Sequence, residues 1–175
     1  EVLKRYALVV NYEIETRDSL AARARQFGIE ASSGEAKDKI ADEIYKKICR
    51  PHLQNPTFVI HHPVGISPLA KKFSKGAKTV RRFQLVVGGL EMVNAFAELN
   101  DPRDQRMRFE EQAEMKSGGD EESHPFDEDF IEALEYGMPP AAGAGMGIDR
   151  LVMLLADTKN IREVVLFPTL RPKAG

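Results

Sequence analysis

The sequence predicts an α+β fold in which helices flank an antiparallel sheet. Two β-rich runs, Phe83 to Val87 and Glu91 to Leu99, are joined through Gly88-Gly89, a plausible hairpin turn. The helical patterns stand apart from these strands instead of alternating with them. The 175 residues are enough for one domain with a sizeable core.

Taken in order, residues 1 to 15 hold a short apolar run without a clean period. Thr16 to Phe27 reads as a helix with Leu20, Ala24 and Phe27 on one side, and Gly28 stands where a C-terminal cap is expected. Ser32-Ser33-Gly34-Glu35 fits a capping box ahead of a second helix. There Ala36, Ile40, Ala41, Ile44, Tyr45 and Ile48 recur at helical spacing, and Pro51 stops the run. Asn55-Pro56 opens an extended run from Thr57 to His61. Val64 to Lys78 reads as a loop whose basic cluster, Lys71, Lys72, Lys75 and Lys78 followed by Arg81 and Arg82, is expected to be solvated, with a phosphate contact as the alternative. Asp101-Pro102 pairs a cap with a first-turn proline and opens a helix to about Lys116, charged on most faces. Ser117 to Glu122 is a polar loop, Asp127 to Tyr136 a short helix, Gly147 to Asp157 an apolar helix, and Val164 to Phe167 a final buried strand.

Composition excludes several classes. The 42% hydrophobic and 30% charged content is that of a globular protein. A net charge of −2 provides no global positive field, so an RNA partner needs local patches or other parts of the protein. The single cysteine, Cys49, allows no internal disulfide and fits a reducing cytoplasm; it lies on the apolar side of its helix and is expected in the core. No apolar run nears the ~20 residues of a membrane span, and the first residues lack a signal-peptide core. His61 and His62 face opposite ways on a strand, His52 and His124 are isolated, and no His/Cys spacing suits zinc.

Two segments carry chemistry. Gly143-Ala144-Gly145-Met146-Gly147-Ile148-Asp149-Arg150 reads as a glycine-dense turn running into the apolar helix. Glycine lets backbone approach a ligand closely, and a helix start favours a phosphate. Arg150 in the first turn adds a charged fork; an ion pair with Asp149 or Glu163 is the alternative. In the strand Glu91 to Leu99, strict alternation puts Glu91, Val93, Ala95 and Ala97 on one side, and Asn94, Phe96 and Glu98 on the other. The second side is either a solvated face or a pocket for a cationic ligand, with Phe96 along an aliphatic stem and Glu98 at an ammonium.

From Pro56 to Pro172 the chain resembles the catalytic domain of class II lysyl-tRNA synthetases. Four blocks carry the resemblance: PTFVIHHPVGISPLAKK, GGLEMVNAFAELNDPRDQRMRFEEQ, ALEYGMPPAAGAGMGIDRLVMLL and IREVVLFPTLRP. It implies an antiparallel sheet flanked by helices, ATP and Mg²⁺ as substrate and cofactor, and lysine and tRNA(Lys) as partners. It also implies a cytoplasmic location and, for the full-length enzyme, a homodimer whose interface is mostly absent from this chain. The octapeptide corresponds to motif 3, with Gly145, Gly147 and Arg150 at ATP and Arg150 on its γ-phosphate. Asn94, Phe96 and Glu98 match the lysine site, the glutamate at the ε-ammonium. Glu91 matches a carboxylate that binds Mg²⁺ on ATP. The family has a second metal glutamate where this chain has Gln84, which offers one neutral carbonyl oxygen, so weaker or water-mediated metal binding is expected.

The implied reaction is attack of lysine's carboxylate on the α-phosphate of ATP, followed by transfer of the lysyl group to the 3′-terminal ribose of tRNA. The family's anticodon-binding domain, motif 1 and motif 2 have no match here. The chain is expected to be one incomplete catalytic domain, with 1–55 a mainly helical insertion and 56–175 the sheet strands and motif 3 helix. Without the motif 2 arginine, activity alone should be very weak. Two alternatives are a paralogue that lysylates a protein acceptor and a non-catalytic piece with residual ATP binding.

Overall fold

A computed structural model describes residues 1–117 and 126–167. His124, most of the expected polar loop after Ser117, and the end of the fourth block from 168 lie outside the described residues.

Three helices form the N-terminal part: α1 (Val2–Ala7), α2 (Arg17–Gln26) and α3 (Lys37–Ile44). The aperiodic start thus contains a short helix that the sequence did not announce. Thr16 caps α2 through its side chain, and Gly28 at φ 72 ends it, with its own N–H on Arg25 and that of Ile29 on Ala24. Leu20 and Ala24 are buried as expected, but Phe27 lies past the last turn and is 37% exposed. Glu35 accepts from the Ser32 backbone N–H, half of a capping box, while α3 begins only at Lys37. After Ile44 the helix widens into a π-turn, Tyr45–Cys49, and closes in a tight turn at Arg50–His52 that includes Pro51.

Leu20, Ile40, Ile44, Tyr45, Cys49 and Leu53 form the main core together with Val86 of the sheet. Each large aliphatic side chain fully buried there contributes about 2 kcal/mol. Burial pushes the Cys49 thiol up to about 11, as suits a packing residue.

Among the described residues the sheet has four strands, β1 (Thr57–Ile60), β2 (Arg82–Val87), β3 (Leu90–Ala97) and β4 (Ala142–Met146), antiparallel in that order. Gly88 and Gly89, at φ 58 and 76, make the tight β2–β3 turn, where two positive φ values match the twist of the strands. The helices after β3 are α4 (Pro102–Ser117), α5 (Glu128–Glu135) and α6 (Ile148–Leu155). Two expectations need correction. The glycine-dense segment is an edge strand, not a turn, because Gly143 and Gly145 pair with Phe96 and Asn94 of β3. Val164 to Phe167 is not a buried strand: it follows a short turn, finds no neighbour in the sheet, and leaves Leu166 and Phe167 88% and 92% exposed.

The charged helix α4 carries an unexpected buried polar row, Gln105, Arg108 and Gln112. Arg108 donates to the carbonyls of Ala70 (2.7 Å) and Ser67 (3.2 Å), Gln105 to Pro68 and Gln112 to Gly65. The row therefore satisfies carbonyls of a loop whose own pairing is limited to isolated bridges, among them Ala70 with Glu98. Burial pushes the Asp104 carboxyl up, but Arg108 and Lys72 outweigh it and hold the group below the usual range.

His62 is buried and its Nε2 donates to the Val59 carbonyl, whereas His61 is exposed at φ 61. Burial first, then Arg82, lowers the His62 pKa from 6.5 to about 4. The unfolded chain therefore takes up a proton before the folded one as pH falls, and stability drops between 6.5 and about 4. Urea unfolding followed across that window should show a loss approaching about 3 kcal/mol that His62→Gln largely removes.

Candidate functional site

Cross-strand pairing fixes which side chains share a face, since residues directly opposite point the same way. Arg82 opposes Phe96, Gln84 opposes Asn94, and Leu85 opposes Val93, but the next residue, Val86, opposes Glu91. Met92 is left without a partner, a β-bulge. The extra residue reverses the alternation, so Glu91 lies on the face of Gln84, Asn94 and Phe96. This corrects the strict-alternation expectation, which separated Glu91 from Asn94. The Gln84 Nε2 to Glu91 Oε2 bond of 2.7 Å confirms the shared face.

β4 extends that face. Gly143 lies opposite Phe96 and Gly145 opposite Asn94. A Cβ on Gly143 would stand 2.7 Å from Glu98 Oε1, so the glutamate side chain lies directly over this glycine. The Glu98 carboxylate is half-buried and has no hydrogen-bond or ion-pair partner among the described residues. That is a costly state for an anion unless a cationic ligand completes it.

Arg150, in the first turn of α6, is exposed and donates from Nη1 to the Glu91 carbonyl at 2.6 Å. The expected alternative of a pair with Asp149 or Glu163 is not formed; Glu163 accepts from Thr158 instead. Gly147 caps α6 with its N–H on Met92, and the Arg150 stem packs against it. The bulge, the helix start and Arg150 thus meet within one small region.

Sequence reasoning missed two site residues. Arg82, placed with the solvated basic cluster, is half-buried: Nε donates to Asn94 Oδ1 (2.9 Å), and Nη1 to Ser67 Oγ (2.9 Å) and the Ile66 carbonyl (3.1 Å). Burial lowers its pKa against the opposing pull of Glu91 and Asp42. With Oδ1 engaged, Asn94 keeps its Nδ2 donors for another partner. Period 2 in β2, counted back from Gln84, was the available signal. The second is Tyr45, buried on the π-turn, whose hydroxyl donates to Gln84 Oε1 at 3.2 Å. Burial pushes its phenol up to about 12, so it remains a donor at neutral pH.

The rest of the basic cluster lies elsewhere, with Lys71 on Asn100 and Lys72 on Asp104. A cavity of about 480 Å³ opens between the N-terminal residues and β1, lined in part by Val9, Tyr12, Phe58 and Ile60. It shares Tyr45 with the site but contains none of Glu91, Asn94, Glu98 or Arg150, so its size does not locate the chemistry.

The donor set admits one kind of metal. No group of three or more His, Cys, Asp or Glu stands together among the described residues. Glu91 supplies a single carboxylate, which suits a hard cation that keeps its waters and takes its other oxygens from phosphates. A dedicated all-protein cage does not fit.

An antiparallel sheet that gathers a carboxylate, an asparagine and an aromatic on β3 and a second carboxylate just past its end, beside a glycine strand leading into an arginine-bearing helix, defines a class of protein. The chain belongs to the class II tRNA synthetases (D, K and N), whose family model matches residues 8–171. Among curated proteins it is similar to the lysine–tRNA ligase of Moorella thermoacetica, 49% identical over 99% of this chain and 35% of the relative. The lysine–tRNA ligase of Gloeobacter violaceus is 49% identical over 90% of this chain and 32% of the relative. That of Deinococcus radiodurans is 55% identical over 78% and 26%. The chain therefore spans about a third of the length of these relatives.

Gly143→Ala should keep the fold but displace the Glu98 side chain, whose free end can move where backbone could not. Gly145→Ala, with nothing nearer than 4.0 Å, is the control. The ¹³C resonance of the Glu98 carboxyl should shift in the first variant and stay in place in the second; equal effects would contradict the geometry.

Proposed function

We propose that this chain forms the lysine- and nucleotide-binding part of a lysine–tRNA ligase, which makes lysyl-adenylate from lysine and ATP and passes the lysyl group to tRNA(Lys). The observation that carries the reading is the unpaired Glu98 carboxylate over Gly143, on the same face as Phe96 and Asn94. A half-buried, unpaired anion at the end of an aromatic-lined strand face selects a long chain ending in an ammonium, and rejects analogues that leave the carboxylate unpaired.

In this reading Glu98 holds the ε-ammonium and Phe96 lies along the methylenes. Asn94, its oxygen held by Arg82, offers N–H donors to the α-substituents of the amino acid. Lysine's carboxylate oxygen then bonds to the α-phosphorus while the bond to pyrophosphate breaks. In the second step a ribose hydroxyl of tRNA attacks the lysyl carbonyl and AMP leaves. The residues act by orientation and charge, and no side chain here is required as a proton carrier. Arg150 and the start of α6 face the phosphates, with Gly145 and Gly147 allowing close approach. Mg²⁺, when bound, neutralises phosphate charge, and Glu91 is the residue that would hold it.

The name and length of the relatives support the same reading, with the remaining contacts supplied by a longer enzyme. Membership of a homodimer and a cytoplasmic location belong to this proposal. No helix among the described residues is long and apolar enough to cross a membrane.

Lysine- and ATP-dependent pyrophosphate exchange, with the other standard amino acids as controls, tests the activity. Exchange dependent on a different amino acid would overturn it. In a full-length enzyme carrying this chain, Glu98→Gln should weaken lysine binding at least ~10-fold by calorimetry while leaving ATP nearly unchanged. Arg150→Ala should weaken ATP far more than lysine, and equal losses for both ligands would count against its phosphate role.

A further inference from the structure

Three side chains form a line from the helical layer into the site. Tyr45 sits on the π-turn and is 7% exposed, as is Gln84 on β2. The Tyr45 hydroxyl lies 3.2 Å from Gln84 Oε1, and Gln84 Nε2 lies 2.7 Å from Glu91 Oε2. An ionised carboxylate only accepts hydrogen bonds, so the amide must turn its NH₂ toward Glu91. Its carbonyl oxygen then faces away and receives the tyrosine hydroxyl. Both ends of a buried amide are satisfied in this orientation, and flipping it would set oxygen against oxygen at Glu91, a loss that the tyrosine hydroxyl, able to donate or accept, does not offset.

We infer that Tyr45 and Gln84 are positioning residues that aim Glu91, and that Gln84 is not itself a metal ligand. A cation approaching Glu91 meets one anionic carboxylate flanked by an N–H donor, where a second oxygen would be needed to hold it without other help. Glu91 therefore takes a divalent cation that arrives already bound to phosphate oxygens, and does not retain the ion alone. The π-turn belongs to this arrangement, because it is the element that carries Tyr45 to the sheet. The inference rests on the reading of Glu91 as facing a nucleotide, but its test uses neither ATP nor lysine.

The probe is Mn²⁺ alone, titrated into the 175-residue chain and followed by electron paramagnetic resonance. Wild type should bind Mn²⁺ no more tightly than Glu91→Gln does. Gln84→Glu, which sets two carboxylates side by side, should bind it at least 10-fold more tightly, and the double variant Gln84→Glu/Glu91→Gln should lose that gain. Wild-type binding equal to that of Gln84→Glu would show that the amide presents its oxygen to the metal, and would overturn the inference. Tyr45→Phe gives a second readout in metal-free protein. The Gln84 side-chain NH₂ should be slow to exchange with solvent in wild type and at least several-fold faster in the variant, with far-UV circular dichroism unchanged. An unchanged exchange rate would remove Tyr45 from the relay. Failure of lysine-dependent pyrophosphate exchange in a full-length enzyme carrying this chain, with these results intact, would count against the ligase reading alone.

Discussion

Met92 stands opposite no residue of β2, and the register skip around it decides which carboxylates can act together. Without the extra residue, Glu91 would point away from Gln84 and Asn94. With it, Glu91, Asn94, Phe96 and the glycines of β4 share one face, and Arg150 reaches the backbone of Glu91 from the next element. A bulge costs a break in ladder hydrogen bonding but re-aims a side chain that strict period 2 would waste. Met92 is 4% exposed, and its carbonyl receives the N–H of Gly147, so the bulge also fixes where α6 begins.

The face is held from both ends by buried polar contacts. On one side α3 and its π-turn pack against Val86 and bring Tyr45 to Gln84. On the other, Arg108 of α4 gathers the carbonyls of Ser67 and Ala70, which steadies the loop whose Ile66 and Ser67 anchor Arg82. Arg82 in turn orients Asn94. Polar groups buried in this way stabilise little on balance but are costly to leave unmatched, so they favour one arrangement over its neighbours. Beyond β3 the site is open: Gly145 and Arg150 are exposed, and so are Ile148, Val152 and Leu155 of α6.

Much of this was legible in the residues. The Gly88-Gly89 hairpin, the Thr16 and Gly28 ends of α2, the Asp101-Pro102 helix start and the buried Cys49 all follow from local rules, because each depends on the backbone preferences of a few neighbours. The shared face of Asn94, Phe96 and Glu98 followed from alternation, while its reading as a lysine pocket came from the family resemblance. Glu91 did not, because a bulge is set by pairing between strands and leaves no local mark at Met92. β4 was hidden for a related reason: a strand of glycine and alanine has no apolar period, and only its pairing with β3 defines it. Arg82 was misplaced because its charge grouped it with Lys71 to Arg81, whereas its position on β2 turns it inward. Val164 to Phe167 shows the converse, an apolar run whose pattern promised burial but which has no neighbouring strand here.

The central claim is that the face built on β3 recognises the ammonium end of lysine through Glu98. It is tested most directly by titrating the ¹⁵N,¹³C-labelled chain with lysine and, separately, with norleucine, which keeps the stem and lacks the ammonium. The account predicts that lysine shifts the resonances of Asn94, Phe96, Glu98 and Gly143 and that norleucine at the same concentration leaves them in place. Equal responses to the two, or shifts confined to the cavity beside β1, would contradict it.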